Sequence, residues 1–240
     1  QFADTIALEA AKVRVGISIG VALFPENGGD ARTLLQCADS ALYQAKAKGR
    51  NNVQFYSPEL TERLHRRMAL DVELHAAIGR SEFELHYQPV VPLAPDTPLR
   101  TEALIRWRHP ERGLLFPGDF IDHAEETGQI EAMGAWVLHQ ACADAMSWPV
   151  GPSGPVGVAV NVSVRQFKSG ALPGLVAGAL KDSGLAPERL CLELTEQLML
   201  HDTEQNLGAI QELKALGVEL ALDDFGVGYS SLSYIRRFGP

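Results

Sequence analysis

The sequence is poor in cysteine, in aromatic residues and in long apolar runs. Its three cysteines, Cys37, Cys142 and Cys191, lie far apart, which excludes both a disulfide framework and a Cys-x-x-Cys zinc knuckle. The longest apolar run, near residues 17–24, is much shorter than the ~20 residues that a membrane-spanning helix needs. We therefore expect a soluble, cytoplasmic segment with reduced thiols. Any membrane anchor would belong to a longer parent protein.

Positive charge is also scarce. The 21 lysines and arginines are outnumbered by 30 aspartates and glutamates, which gives a formal net charge of -9. Surfaces that hold nucleic acid polymers without sequence preference neutralise phosphates with clustered Lys and Arg, so this composition argues against that class. A small anionic ligand remains compatible with it, provided that metal ions supply the positive charge.

The first 57 residues are predicted to form a strand, a helix and a short strand. Residues 13–24 are rich in β-branched side chains and end at turn-forming residues, which favours a strand. Apolar residues then recur at helical spacing over residues 34–45, with Asp30 as the N-cap and Gly49 beyond the end. Residues 53–56 form the second predicted strand.

A connecting helix is predicted next. Ser57 followed by Pro58 is typical of an N-cap and a first helical turn, and an apolar stripe continues to about Ile78. Gly79 is expected to end this helix. The predicted organisation is therefore a first domain over residues 1–57, a linker helix over residues 58–80 and a second domain over residues 81–240.

From Phe83 onward, strand patterns and helix patterns alternate. The predicted strands cover residues 83–91, 100–107, 156–163, 190–195 and 218–223. The predicted helices cover residues 117–127, 130–147, 172–183 and 203–216. Repeated strand-then-helix order favours an α/β fold with a parallel sheet, either doubly wound or closed as a barrel, and periodicity alone does not choose between the two.

Four of these strands have one apolar face and one face that carries oxygen-bearing side chains, because side chains alternate between faces. The apolar face contains Ala103, Ile105, Trp107, Val158, Val160, Val162, Leu190, Leu192, Leu194, Leu220 and Leu222. The opposite face contributes Glu102, Asn161, Glu193 and Asp223, one from each strand. We expect helices to cover the first face and chemistry to occur on the second.

Three carboxylates and one amide facing inward would be costly to bury without a cation among them. An oxygen-only set suits Mg²⁺ or Mn²⁺ better than zinc. Asp224 directly follows Asp223, and one shared plus one extra carboxylate would hold two cations about 4 Å apart. The acids also lie toward the carboxyl ends of their strands, where barrels and open α/β sheets carry their sites.

Five motifs in order give the second domain a recognisable resemblance. They are Tyr87-Gln88-Pro89, Glu102-Ala103-Leu104 with Arg106 and Trp107, Asn161-Val162-Ser163 with Gln166 and Phe167, Glu193-Leu194-Thr195-Glu196, and the run from Asp223 through Asp224 to Ser231. Together they resemble the EAL-type cyclic di-GMP phosphodiesterase domain. The tripeptide alone would be weak, whereas the ordered set over about 150 residues is specific.

The resemblance implies a TIM-like (β/α) barrel with one antiparallel strand, which hydrolyses cyclic di-GMP to linear pGpG with a two-metal Mg²⁺ or Mn²⁺ site. It implies the metal ligands Glu102, Asn161, Glu193, Asp223 and Asp224. It further implies that Gln88 and Arg106 hold the substrate and that Leu104 borders a guanine. The implied catalytic set is Glu102, Asp223, Asp224 and Glu196, in which Glu196 steadies the loop of residues 225–231 through Ser230.

The first domain has a separate resemblance, to the C-terminal third of a GGDEF, diguanylate cyclase-type domain. The matching residues are Val15 to Ala22 with Pro25, then Ala38, Asp39, Ala41, Leu42, Tyr43, Ala45 and Lys46, and finally Gly49, Arg50 and Asn51. The signature hairpin of that family would lie upstream. Gly28-Gly29-Asp30 does not replace it, because Ala31 and Arg32 follow and the position is a turn before a helix. We therefore expect no cyclase activity from this chain.

Two features depart from the EAL pattern. Val227 stands where a small or hydroxyl residue is usual. The chain also ends at Pro240, before the sixth to eighth strands of the barrel and the Lys, Glu and Gln that they carry. We expect a barrel truncated after about five strands to expose unpaired edges and to be unstable and inactive alone, with activity belonging to a longer parent.

Some alternatives remain open from the sequence. The second domain could be a regulatory module that binds cyclic di-GMP without turnover and acts through a protein partner. Arg106 could pair with a neighbouring acid instead of substrate. Ser230 and Ser231 lack the G-x-S-x-G context and the ordered histidine of a serine nucleophile. Homodimerisation through the EAL domain is an expectation that the resemblance alone supplies.

Overall fold

The computed structural model describes residues 5–8, 11–14, 16–93, 97–195 and 204–223. The chain divides into two compact units, Gln1–Leu70 and Asp71–Pro240. The elements that begin in the first unit are β1 (Thr5–Leu8), β2 (Ala11–Arg14), β3 (Ile19–Val21), α1 (Ala31–Ala47), β4 (Val53–Phe55) and α2 (Pro58–Gly79). The division between the units falls inside α2, which ends at Gly79 as predicted.

Helix α1 begins and packs as the sequence predicts. The side chain of Asp30 accepts a hydrogen bond from the backbone N–H of Thr33 at 2.9 Å, which satisfies one of the free donors of the first turn. Ala41 and Ala45 are fully buried on the face that meets β3. A side chain at Gly20 would collide with the backbone of Ala38 and Leu42, so glycine allows the strand to approach the helix closely.

The prediction of one continuous strand over residues 13–24 is wrong. The segment contains the end of β2, which pairs antiparallel with β1, and β3, which pairs parallel with β4. Side-chain bonds lie between the two pieces: the N–H of Ile17 donates to Asn51 Oδ1 at 3.3 Å, and the N–H of Asn51 donates to Ser18 Oγ at 3.1 Å. Composition indicates extended backbone, but it does not say which partner each piece takes.

The second unit alternates strands and helices. Its strands are β5 (Phe83–Val90), β6 (Arg100–His109), β7 (Gly113–Leu115), β8 (Val150–Gly151), β9 (Gly154–Pro155), β10 (Gly157–Val162), β11 (Leu190–Thr195) and β12 (Glu219–Asp223). Its helices are α3 (Ile121–Thr127), α4 (Ile130–Met146), α5 (Val164–Lys168), α6 (Leu172–Ser183) and α7 (Glu204–Ala215). Single turns of 3-10 helix cover Pro117–Asp119 and Pro187–Arg189.

One sheet organises this unit, with strand order β12-β11-β10-β6-β5 and with β7 beside the end of β6. Neighbouring strands from β6 to β12 run parallel, and β5 runs antiparallel to β6. The parallel strands and the reversed strand β5 confirm that part of the expectation, while the three-residue β7 is a second strand antiparallel to β6. The carboxyl ends of β6, β10, β11 and β12 consequently meet at one edge of the sheet.

The helices cover one face of the sheet, as the alternation of side chains predicts. Ala103, Ile105 and Trp107 are buried on β6, as are the matching valines of β10 and leucines of β11. Trp107 packs among the rings of Phe83 and Phe120, with centroids 5.9 and 5.7 Å away. Burial of this apolar layer fixes which side chains point to the other face.

No closed barrel is present among the described residues, for which the prediction was a TIM-like barrel truncated after about five strands. They form an open sheet whose two edges are β5 and β12. The reason is strand number, because a barrel of this type closes with eight strands. Residues 97–195 also contain elements that the sequence did not predict, namely β7, the β8–β9 hairpin and the five-residue helix α5. Each is too short to leave a periodic pattern.

None of the helices in the described part of the chain combines the length and the apolar character needed to cross a membrane.

Candidate active site

The oxygen-bearing side chains predicted from alternation share one face of the sheet. Asn161 on β10 lies directly opposite Glu193 on β11, and Glu102 on β6 lies opposite Ala159, two residues before Asn161. Asp223, the last residue of β12, lies opposite Thr195, two residues beyond Glu193. Four neighbouring strands about 4.8 Å apart thus each bring one oxygen-bearing side chain to the same face. Asn161, Glu193 and Asp223 lie toward the carboxyl ends of their strands. The same expectation is wrong for Glu102, which is the third residue of the ten-residue β6.

A direct hydrogen bond joins the first two of these side chains. Asn161 Nδ2 donates to Glu102 Oε1 at 2.7 Å. The bond uses the nitrogen of the amide, so Asn161 Oδ1 keeps its lone pairs for another partner. Glu102 is half-buried and Asn161 is exposed on the open side of the sheet.

Glu193 lies close to two other acidic side chains. The pKa of its carboxyl group is raised to about 6. Partial burial is the largest cause, and the neighbouring charges of Glu102 and Asp223 contribute to the same increase. Arg100, two residues before Glu102 on the same face of β6, acts in the opposite direction. A carboxyl group in this surrounding favours either a proton or a cation.

The residues expected to contact substrate lie along β5 and β6. Gln88 on β5 is exposed and directly opposite Glu102, and Leu104 is half-buried one step further along β6 on the same face. Arg106 Nη1 donates to the carbonyl of Ile105 at 2.8 Å, and its guanidinium carbon lies 4.8 Å from the centre of the Phe116 ring. The two elements therefore line one surface beside the acids.

Arg106 is not paired with an acid within the described ranges. Glu84, which lies opposite it on β5, bonds Arg108 at 2.7 to 3.0 Å instead. Arg106 Nε is buried with no hydrogen-bond partner in the part of the chain that is described. A guanidinium held over an aromatic ring and lacking a carboxylate is suited to bind an anionic ligand.

Part of the predicted site lies outside the described residues. Asp224, Glu196 and Ser230 with the rest of the loop at 225–231 all fall there.

The donors fit a hard divalent cation in chemistry. Carboxylate and amide oxygens are the ligands that Mg²⁺ and Mn²⁺ prefer, and a cation near Glu193 would favour the charged form that burial and the neighbouring acids disfavour. No three His, Cys, Asp or Glu side chains within the described ranges are gathered tightly enough to enclose a metal ion. The side chains therefore suit a divalent cation in the type of their donor atoms, in their position on one face of the sheet and in their charge.

The sequence did not predict two residues that contribute to this surface. Phe116, which supports Arg106, follows the short strand β7 and left no periodic signal. Arg100 has the same strand parity as Glu102, a signal that was available but was not used. Phe116 acts on Arg106 and Arg100 acts on Glu193, and spacing along the chain does not reveal either of these contacts.

A sheet with parallel central strands, covering helices and acidic side chains on its other face places the second unit in the α/β class of proteins. Residues 71–240 match the model of the EAL domain family, and residues 1–52 match that of the diguanylate cyclase, GGDEF domain. The chain belongs to the EAL domain family, and its amino-terminal part matches the GGDEF family.

Several curated relatives are similar over nearly the whole chain. The cyclic di-GMP phosphodiesterase NbdA of Pseudomonas aeruginosa is 41% identical over 98% of this chain and 30% of its own length. The bifunctional diguanylate cyclase/cyclic di-GMP phosphodiesterase MucR of the same organism is 41% identical over 94% of this chain and 33% of its own. The cyclic di-GMP phosphodiesterase PdeR of Escherichia coli is 36% identical, over 95% and 34%. The chain therefore spans about a third of these relatives.

Solved structures agree with this relationship. The PaMucR phosphodiesterase in complex with c-di-GMP superposes with a TM-score of 0.65 at 43% identity, over 70% of this chain and 68% of that one. The EAL enzyme Bd1971 in its cAMP- and cyclic-di-GMP-bound form gives 0.64 at 25% identity, over 88% and 55%. The FimX EAL domain of P. aeruginosa, at 23% identity and a TM-score of 0.63, shares the fold.

Proposed function

We propose that the longer protein carrying this chain hydrolyses cyclic di-GMP to linear pGpG in bacterial second-messenger signalling, with divalent cations bound at the acidic edge of the sheet. The single observation that carries the proposal is the alignment of Glu102, Asn161, Glu193 and Asp223 on one face of four adjacent strands. Relatives named as phosphodiesterases of this dinucleotide support the choice of substrate.

The proposed ligands of the cations are these four residues together with Asp224. The cations, Mg²⁺ or Mn²⁺ in two sites, would activate water and neutralise charge that develops on the phosphate. Asn161 contributes in two ways, since its amide nitrogen orients Glu102 while its oxygen remains available as a ligand. Arg100 limits the repulsion that the acids exert on Glu193.

We infer that the surface formed by β5 and β6 holds the dinucleotide. Arg106 would bind an anionic group of the ligand, since Phe116 supports its guanidinium and no carboxylate in the described part of the chain neutralises it. Gln88 lies beside Glu102 and offers both a donor and an acceptor to substrate. Leu104 supplies apolar area for a guanine. We assign Glu196 the support of the loop at 225–231 through Ser230.

We further propose that strands beyond Pro240 close the sheet of the longer protein into a TIM-like barrel. The exposed edges β5 and β12 support this proposal, because unpaired strand edges are normally covered or joined in stable proteins. We also infer a cytoplasmic location and a homodimer formed through the EAL unit. Sedimentation of the purified longer protein tests the dimer, and a single species of monomer mass would contradict it.

The decisive test compares the longer protein with its Glu102→Gln variant in Mg²⁺ or Mn²⁺. We expect the wild type to release linear pGpG and the variant to lose more than about 100-fold in kcat/KM, because even loss of a supporting hydrogen bond at a metal site costs roughly 10- to 100-fold. Glu212→Gln, at an exposed position on α7, is the matched control and should retain wild-type turnover.

Each outcome of this test has a distinct meaning. Binding of cyclic di-GMP by a folded wild type without any linear product would favour the regulatory module over the enzyme. Neither binding nor product would overturn both. Equal turnover in the wild type and in Glu102→Gln would reject the metal site while leaving a phosphodiesterase.

A further inference from the structure

Helix α5 begins at Val164, three residues after Asn161, and its N-cap Ser163 follows directly after the last residue of β10. Pairing of β10 with β6 covers residues from Gly157 to Val160, whereas pairing with β11 continues to Val162. On its β6 side, Asn161 is therefore held by the side-chain bond to Glu102 and not by a strand ladder. The β11 ladder holds the Asn161 backbone on one side, and the turn from β10 into α5 adds a second constraint on how Asn161 approaches Glu102.

That turn is closed by a reciprocal pair of hydrogen bonds between Ser163 and Gln166. Ser163 Oγ accepts from the backbone N–H of Gln166 at 3.2 Å, and Gln166 Oε1 accepts from the backbone N–H of Ser163 at 3.2 Å. This arrangement is a capping box, which fixes the angle at which the chain enters a helix. Gln166 is only 4% exposed, so its amide is held by protein and not by water.

Gly134 on α4 provides the space for the Gln166 side chain. A Cβ atom at position 134 would overlap the Gln166 amide nitrogen and would lie 2.7 Å from Oε1, closer than Cβ contacts in real structures. The amide could yield only by releasing the Ser163 N–H, because its oxygen forms that bond. A side chain at 134 would therefore either open the capping box or push α4 away from α5.

A second contact anchors α5 to the corner between α3 and α4. Arg165 Nε donates to Glu131 Oε1 at 2.9 Å, and its Nη1 donates to the carbonyl of Glu125 at 3.2 Å. The guanidinium lies over Gly128, whose φ of 88° and lack of a side chain permit the approach. Phe167, 3% exposed, completes the burial of α5. The short helix is thus tied to the helical layer.

We propose that Gln166, seated against Gly134, is a positioning residue for Asn161. It holds the β10–α5 turn so that the Asn161 amide presents Nδ2 to Glu102 and leaves Oδ1 available to a cation. The inference rests on the proposed function, since it assigns a role in assembling the same metal site. A small movement of the turn would break the 2.7 Å bond to Glu102 and misalign two of the proposed ligands together.

The test measures Mn²⁺ binding by the metal-free longer protein, with Glu102→Gln as the baseline for sites elsewhere in the protein. Gly134→Ala retains the Gln166 oxygen but removes its space, and Gln166→Met retains the length but removes the oxygen. Each variant should raise the Mn²⁺ dissociation constant by about 10- to 100-fold, the effect typical of lost outer-shell support. Because both substitutions act through one contact, the double variant should bind Mn²⁺ no more weakly than the single variant with the higher dissociation constant.

A turnover measurement separates positioning from general damage. At limiting Mn²⁺ the variants should lose kcat, and kcat should recover as Mn²⁺ is raised, whereas a merely structural defect would not respond to the metal. Gly178→Ala is the matched control: it also replaces a helical glycine, in α6, with no atom within 4 Å of the new Cβ. This control should bind Mn²⁺ as the wild type does. Thermal unfolding identifies any variant that fails to fold, and Gln166→Met then carries the test.

The inference and the proposed function fail in different ways. If the wild type binds Mn²⁺ and both folded variants keep its dissociation constant, the positioning role is overturned and the proposed function stands. A wild type with the same Mn²⁺ binding as Glu102→Gln would reject both.

Discussion

At the scale of single residues, neighbouring groups act in opposite directions on the pKa of one carboxyl group in the site. Glu193 is partly buried and faces Glu102 and Asp223, which together raise the pKa of its carboxyl group to about 6, while Arg100 opposes them. In the unfolded chain the same group titrates near its ordinary value of 4.5. The folded metal-free protein therefore binds the proton of Glu193 more tightly than the unfolded chain does. The stability that the protonated form contributes is complete below pH 4.5 and is lost as the pH rises through 6.

Glu193→Gln should therefore stabilise the metal-free protein at high pH only. At pH 8 we expect the free energy of unfolding to rise by about 1 kcal/mol, since one pKa unit corresponds to about 1.4 kcal/mol and solvent screens a half-buried group. At pH 4 the increase should vanish. Urea unfolding in a chelator measures the difference, and an equal effect at both pH values would contradict the electrostatic explanation.

At the scale of elements, the last turns of α2 show how a helix is attached to the second unit. Leu74 and Ala77 are fully buried, and Glu73 binds both Arg112 and His109 Nε2. His109 Nδ1 accepts from the backbone N–H groups of Glu111 and Arg112 at 3.1 Å. A neutral ring with its proton on Nε2 satisfies all of these contacts, because Nδ1 then accepts while Nε2 donates to Glu73.

Leu74→Ala tests the energetic weight of this attachment. Removing a fully buried leucine side chain should lower the free energy of unfolding by about 2–5 kcal/mol, through lost burial and the cavity that remains. Val72→Ala, two residues earlier and 70% exposed, is the control and should change stability by less than about 0.5 kcal/mol. Similar losses in the two variants, measured by urea unfolding, would show that α2 is not docked through this face.

The elements that the sequence predicted well are those with strong local signals. Helix α6 has the predicted bounds, and α1 begins after the predicted cap at Asp30. Strand parity assigned Glu102, Asn161, Glu193 and Asp223 to one face, which the register confirms. Their roles as ligands remain a proposal.

Other features depend on contacts between distant segments. The Asn161–Glu102 bond and the raised pKa of Glu193 follow from the stagger between neighbouring strands, which no local pattern encodes. Helix α5 is only five residues long, and it is held by α4 and the α3–α4 corner through Gln166 and Arg165. The Ser163-x-x-Gln166 spacing is typical of a capping box but was not predicted as one, and no local pattern points to its neighbour Gly134.

At the scale of the whole molecule, the open sheet connects stability with activity. The described strands leave β5 and β12 as edges, with the acids between them. Closing such a sheet would pair both edges and exclude water from the acidic face, which strengthens electrostatic interactions there.

We therefore expect the 240-residue chain and the longer protein to behave differently. The chain alone should unfold at a lower temperature and should release no detectable linear dinucleotide, whereas the longer protein should do so with Mg²⁺ or Mn²⁺. Calorimetry and chromatography of the product measure the two quantities on matched preparations. Full turnover by the short chain would show that the further strands are dispensable.

The reversed direction of β5 determines at which end of the sheet the chain arrives from α2. Phe83, its first residue, lies opposite Trp107 near the carboxyl end of β6, and only three residues separate it from the last residue of α2. Had the strand run the other way, the helix would deliver its end to the far side of the sheet, about 25 Å away over eight residues. The chain therefore passes from the helix directly to the end of the sheet at which Arg106 lies.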